Sequence, residues 1–139
     1  MADIAIGVRK FLLSKTVVTD LVSQRIETDA LKQSATLPAI AMSKLYTQHD
    51  HELSNLTGLA HCRIQFECFA STRMVANSLA EAIRTSGIVA FKGETNGVDI
   101  RGVRVEEGMS YQDDPPTDGS DKRRYVSVID LMVDFSETV

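Results

Sequence analysis

A chain of 139 residues and 15.3 kDa is the size of one ordinary domain, 1–139, and can bury about two-thirds of its unfolded surface. Its 43% hydrophobic and 24% charged residues lie close to the globular average, which argues against disordered, collagenous and coiled-coil classes. Fifteen Lys and Arg against nineteen Asp and Glu leave a net charge of −4 without any long run of like charges. That balance argues against a dedicated nucleic-acid binder. No apolar run approaches the roughly 20 residues of a membrane-spanning helix, and Asp3, Arg9 and Lys10 break up any signal-peptide pattern. The expectation is a protein made and kept in the cytoplasm, with no membrane partner.

Asp3 ahead of Ile4, Val8, Phe11 and Leu12 has the spacing of a capped helix with one apolar stripe. Ser14 or Thr16 then stands as a second cap before Val17, Val18, Leu21 and Val22, predicting a short second helix or a kinked continuation. Residues 25–28 form a short strand in this reading. After Leu37-Pro38 comes another strand through Ala39, Ile40, Ala41, Met42 and Leu45, with the proline at its start because it lacks a ladder donor. Residues 46–57 read as a polar loop.

Residues 59–70 give the clearest pattern. Ala60, Cys62, Ile64, Phe66, Cys68 and Ala70 alternate with His61, Arg63, Gln65 and Glu67, so one face packs and the other meets water. Cys62 and Cys68 on this one strand stand about 20 Å apart, too far to bridge, and read as buried free thiols. Ser71 or Thr72 caps a helix with the stripe Val75, Leu79, Ala82 and Ile83, which Gly87 ends. Residues 88–91 and 98–106 flank Asn96-Gly97 as a hairpin, with a bulge at Gly102 where the apolar phase changes.

Residues 107–122 hold two prolines, two glycines and a cluster of aspartates, and read as a long acidic loop. The last strand, 124–135, turns Tyr125, Ile129, Leu131, Val133 and Phe135 to the core. Val126, Val128 and Met132 make its other face apolar, which predicts cover by another element or another subunit. The fold class is therefore α+β: a mainly antiparallel four- to five-stranded sheet with helices packed on one face.

Candidate chemistry is sparse. His49-Asp50-His51 with Glu52 and His61 resembles a metal-ligand set, yet the stretch reads as a solvated loop. Ser54, His51 and Asp50 lack the Gly-x-Ser-x-Gly elbow of a hydrolase, and no glycine pattern fits a P-loop or a dinucleotide fingerprint. Asp113, Asp114, Asp118 and Asp121 do not have EF-hand spacing. Lys122, Arg123 and Arg124 with Arg101 or Arg104 form a basic edge without interleaved Phe or Trp to stack bases. The reading is a non-enzyme with no catalytic, cofactor or metal site. A small metal-dependent hydrolase using His49, His51 and His61 is the alternative from another class.

The order of elements resembles the phage tail completion and tail terminator family. The carriers are Arg25-Ile26, Leu37-Pro38-Ala39-Ile40, the strand from Arg63 to Ser71, the helix over 72–85, the Asp-Pro loop at 113–116 and the strand over 123–135. Glu27 stands where the family leads one to expect an aromatic. The resemblance implies a structural virion subunit that assembles in the host cytoplasm into a ring, usually a hexamer. The ring caps the head-proximal end of a tail tube, ending tail polymerisation and joining tail to head. Its implied partners are further copies of itself, the tail tube protein and a head completion or connector protein, while DNA passes through without specific binding. Another head-tail neck protein, such as a head completion or connector subunit, is the alternative within this class.

On that reading Val126, Val128 and Met132 are candidates for the subunit interface, and Val128→Lys is expected to weaken the ring without unfolding the chain. Tyr46, His49 and Tyr111 are candidates for partner contacts, since such side chains join an apolar body to a polar tip. Glu106, Glu107, Asp113 and Asp114 are candidates for an acidic lumen that repels the duplex, against the alternative that they keep a turn-rich loop soluble.

Overall fold

The computed structural model describes residues 3–29, 31, 35–51, 56–95, 97–112 and 124–136. The chain opens with helices α1 (Ile4–Leu13) and α2 (Thr16–Val22), followed by strands β1 (Ile26–Thr28), β2 (Ala39–His51) and β3 (Leu56–Ala70). Helix α3 (Arg73–Thr85) and strands β4 (Gly93–Thr95), β5 (Val98–Gln112) and β6 (Tyr125–Ser136) complete it. The strands make one six-stranded sheet in the order β1-β2-β3-β6-β5-β4. β1 runs parallel to β2 and every other pair is antiparallel, so the sheet is mixed and larger than the expected four or five strands.

Helix α1 begins where the Asp3 carboxylate accepts the Ala5 N–H at 2.8 Å, and it buries Ile4, Val8 and Leu12 as one stripe. The cap of α2 differs from expectation. Lys15 occupies that position without a side-chain bond, while the Ser14 hydroxyl donates to the Phe11 carbonyl at 2.6 Å. This helix is held instead by burying Val18 and Val22. Thr72 caps α3 by accepting the Val75 N–H at 3.3 Å, and Ala76, Leu79, Ala82 and Ile83 pack inward, with Ala76 in the place expected for Val75. Gly87 follows with φ +100°, a conformation that side-chain-bearing residues rarely adopt.

Within the two expected loops, the described residues 46–51, 56–57 and 107–112 are strand, and residues 52–55 and 113–122 lie outside the described residues. β2 continues through residues 46–49 because β3 is long enough to pair with them, Tyr46 opposite Arg63 and Gln48 opposite His61. β5 likewise continues through 107–112 along β6, with a register shift between Glu107 and Ser110. The expected strand at 88–91 is a turn, closed by the Phe91 N–H on the Ile88 carbonyl at 3.1 Å, and Gly93–Thr95 pairs in its place. The bulge expected near Gly102 is present, between Ile100 and Gly102.

The three helices cover one face of the sheet. Between them lies the main core, with Leu12, Ile40, Ile64, Phe66, Leu79, Ile83, Ile129 and Leu131 all at most 1% exposed. Close helix-to-strand approach is set at Gly7, whose carbonyl accepts the Thr95 hydroxyl at 2.9 Å. A Cβ on Gly7 would stand 2.9 Å from both Thr95 Cγ2 and the Thr95 carbonyl oxygen. Gly7→Ala gains about 1 kcal/mol of helix propensity but forces apart a backbone contact at a cost of about 1–3 kcal/mol. The expected result is a net loss, read as a lower urea midpoint; a gain would show that α1 is free to shift away from β4.

Cys62 and Cys68 are free and fully buried on this core face, where burial pushes both thiols up from their ordinary range. The folded protein is therefore expected to leave both unmodified by iodoacetamide at pH 8, and the denatured chain to take up two equivalents. Modification of the folded chain at the rate of an exposed thiol would contradict the packing of β3. Among the described residues, no helix is long and apolar enough to cross a membrane.

Candidate functional site

The helix-free face of the sheet collects the polar side of every long strand. Alternation along β3 sends His61, Arg63, Gln65, Glu67 and Phe69 to this face. Antiparallel register sets them opposite Asp134, Met132, Asp130, Val128 and Val126 of β6. On the far side of β6, Arg104 lies opposite Met132 and Glu106 opposite Asp130. Register thus brings cations and anions from three strands onto one surface.

At its centre, Arg63 Nε donates to Asp130 Oδ2 at 2.7 Å and Arg63 Nη2 reaches the same oxygen at 2.6 Å. Nη2 also donates to Glu106 Oε2 at 3.0 Å. The hydrogen bond to Asp130 pushes the guanidinium pKa further up, so Arg63 carries its charge throughout the working range. Asp130 is only 5% exposed, and its Oδ1 is buried with no hydrogen-bond partner among the described residues. Towards one end His61 Nδ1 lies 2.6 Å from Asp134 Oδ1, with Arg104 Nη2 at 3.8 Å from that oxygen. Towards the other, the Tyr111 hydroxyl donates to Glu67 Oε2 at 2.8 Å.

Beyond Glu67 the face turns apolar. Ala41, Phe69 and Val126 are buried there with Leu31, Leu37, Tyr111 and Val128 packed around them, and the Arg124 guanidinium lies 4.6 Å from the centre of the Phe69 ring. The apolar outer face expected of the last strand is real, but much of its cover comes from the same chain. Val126 is 0% exposed and Val128 is half-buried. Val128→Lys would therefore open this cluster as well as alter the surface, which corrects the expectation of an intact fold. Arg124, placed in a basic edge by sequence, is 8% exposed and stacked.

The other sequence candidates fall into distinct places. Tyr46 is 46% exposed on the open face, and Tyr111 is half-buried and tied to Glu67. Met132 is half-buried between Arg63 and Arg104. Glu106 is exposed, lies on β5 and is paired with Arg63. Glu107 continues β5 opposite Ile129, while Asp113, Asp114, Asp118, Asp121, Lys122 and Arg123 lie outside the described residues. His49 is exposed on β2 opposite Ala60, whereas His61 lies opposite Gln48, so the two rings leave opposite faces of the sheet. That separation keeps His49 and His61 out of one ligand set, while the side chains of Asp50 and His51, and residues Glu52 and Ser54, lie outside the described residues. Among the described residues, no three His, Cys, Asp or Glu side chains converge to hold a metal ion. Between α3 and β5, an open cleft of about 300 Å³ is lined by Asn77, Glu81, Gly108, Ser110 and Ser127. Glu81 in that wall is already paired with Arg84.

The open face is thus a fixed lattice of ion pairs with an apolar end, suited to presenting a shaped surface. No protein family of known description matches the sequence, and no curated protein does. The fold itself is shared: a chain titled "Virion of native gene transfer agent (GTA) particle" matches with a TM-score of 0.61 over 94% of this chain and 93% of that chain, at 14% identity. The likeness is one of fold and extends over nearly the whole of both chains.

Proposed function

We propose that the protein is a structural subunit of a phage-like virion, and within that class a tail terminator. In this role copies of the chain form a ring, most simply a hexamer, on the head-proximal end of the tail tube. The ring ends tube polymerisation and receives the head completion or connector protein. The near-complete fold likeness to a chain of a gene transfer agent virion carries the virion reading. The narrower role rests on the order of elements along the chain. A net charge of −4 per subunit agrees with a ring that lets the duplex pass, since the excess of carboxylates over cations repels phosphates at short range.

Deleting the coding region from its phage and examining the particles by electron microscopy tests this reading. Tails of uncontrolled length beside full, unjoined heads are the expected result. Tails of normal length beside unjoined heads would move the protein to the head side of the neck, and normal particles would remove it from the joint altogether. A gel shift at low salt is expected to show no tight duplex binding by the isolated protein; strong, salt-sensitive binding would contradict free passage of DNA.

A further inference from the structure

The sheet order leaves two long strands only partly covered at their outer edges. β1 pairs with β2 at Ile40, Ala41 and Met42, and β4 pairs with β5 at Val98, Asp99 and Ile100. Among the described residues no strand pairs with the outer edge of β2 over residues 43–48, or with that of β5 over 101–106. Unpaired edges of this length are templates for another strand.

The two open stretches stand at the same height in the sheet. Ser43 lies level with Gln65, Asp130 and Glu106, and Tyr46 with Arg63, Met132 and Arg104. Gln48 lies level with His61, Asp134 and Gly102. From β2 to β5 there are three successive antiparallel steps, so β2 and β5 point in opposite directions. Rotating a copy about an axis along the strands preserves those directions. A neighbour's β5 therefore meets β2 antiparallel and without a shift along the strand.

Resting on the ring reading, we propose that the open edge of β2 at residues 43–48 pairs antiparallel with the open edge of β5 at residues 101–106 of the next copy. The subunits are then joined through main-chain hydrogen bonds. Because the two edges differ, the contact is head-to-tail, the kind that closes into a cyclic ring. The unshifted register sets Ser43 against Glu106, Lys44 against Val105, Tyr46 against Arg104 and Gln48 against Gly102, with no like charges opposed. Leu45 and Tyr46, 48% and 46% exposed, are covered by this pairing, and the Arg104 guanidinium gains the face of the Tyr46 ring.

The test is a full-length chain carrying Tyr46→Cys and Arg104→Cys together, oxidised at high protein concentration and run on a non-reducing denaturing gel. Opposed residues on antiparallel strands have Cα atoms about 4.5–5.5 Å apart, within the span of a disulfide, and the native cysteines are buried. A ladder of covalent multimers ending at the ring order is expected, with neither single variant going beyond a dimer. Gln48→Cys with Gly102→Cys probes the same register if the first pair fails to fold. Rings seen by electron microscopy without a ladder from either pair would overturn the edge pairing and leave the terminator reading standing. A wild-type chain that stays monomeric by light scattering at those concentrations would overturn both.

Discussion

Replacing Phe66 with alanine is expected to lower the unfolding free energy by about 3–5 kcal/mol, as a fully buried aromatic in a close-packed core does when truncated. Phe66 is 0% exposed at the middle of β3, with Met42 opposite it on β2 and Ile129 on β6. All three lie beneath the helices in the main core. Helix packing and the sheet centre therefore depend on the same ring. Against a total stability of about 5–15 kcal/mol for an ordinary domain, such a loss leaves little margin. Urea unfolding followed by circular dichroism measures it as a fall in midpoint at constant slope. A loss below about 1 kcal/mol would mean that the sheet centre relaxes around the gap, contrary to the packing described. Assembly should fail in proportion to the unfolded fraction, so the variant also separates lesions of the fold from lesions of a contact surface.

Segments whose burial alternates cleanly were legible in the sequence. β3 shows this best, because Ala60, Cys62, Ile64, Phe66 and Cys68 face the helices while the intervening residues meet the open side. α1 and α3 were legible through their caps and stripes. The extensions of β2 over 46–51 and of β5 over 107–112 were hidden for a common reason: these stretches lie at or near sheet edges, where polar residues carry no desolvation cost and the composition is that of a loop. Strand there is imposed by the partner, β3 for one and β6 for the other. Gly108 illustrates this, since a Cβ at that position would come within 3.0 Å of Val128 on the adjoining strand. A turn signal in the sequence is thus a close strand-to-strand approach in the fold. The short β4 was misplaced because apolar residues 88–91 looked like the better strand, whereas burying Ile88 under the helices needs only a turn.

The open face was half legible. Alternation marked His61, Arg63, Gln65 and Glu67 as a wet row, but their partners lie far along the chain: Asp130 is 67 residues from Arg63, Asp134 is 73 from His61 and Tyr111 is 44 from Glu67. Pattern alone does not give register. Complementary charges at alternate positions of β3 and β6 were the available signal, and it becomes specific only once the two strands are paired antiparallel. The apolar outer face of β6 was detected by pattern, while its cover by Leu31 and Leu37 depends on how the chain before β2 folds back.

The Arg63–Asp130 pair yields the sharpest contrast between single and double substitution. Arg63→Met should lower the urea midpoint clearly, because it strands a carboxylate that is only 5% exposed and whose Oδ1 already has no partner among the described residues. Glu106 does not share that fate, since it is exposed and can turn to water once Arg63 is gone. Arg63→Met combined with Asp130→Leu removes the stranded charge and fills the site with apolar volume beside Met132 and Val128, so most of the lost stability should return. Equal midpoints for the single and double variants would show that water reaches Asp130 and that the bridge behaves as a surface pair. The same double variant then bears on assembly. If the ion-pair lattice only keeps the sheet face rigid, the restored fold should still assemble. If a partner reads those charges, the variant should fold and yet fail to join, a difference that light scattering and particle microscopy resolve.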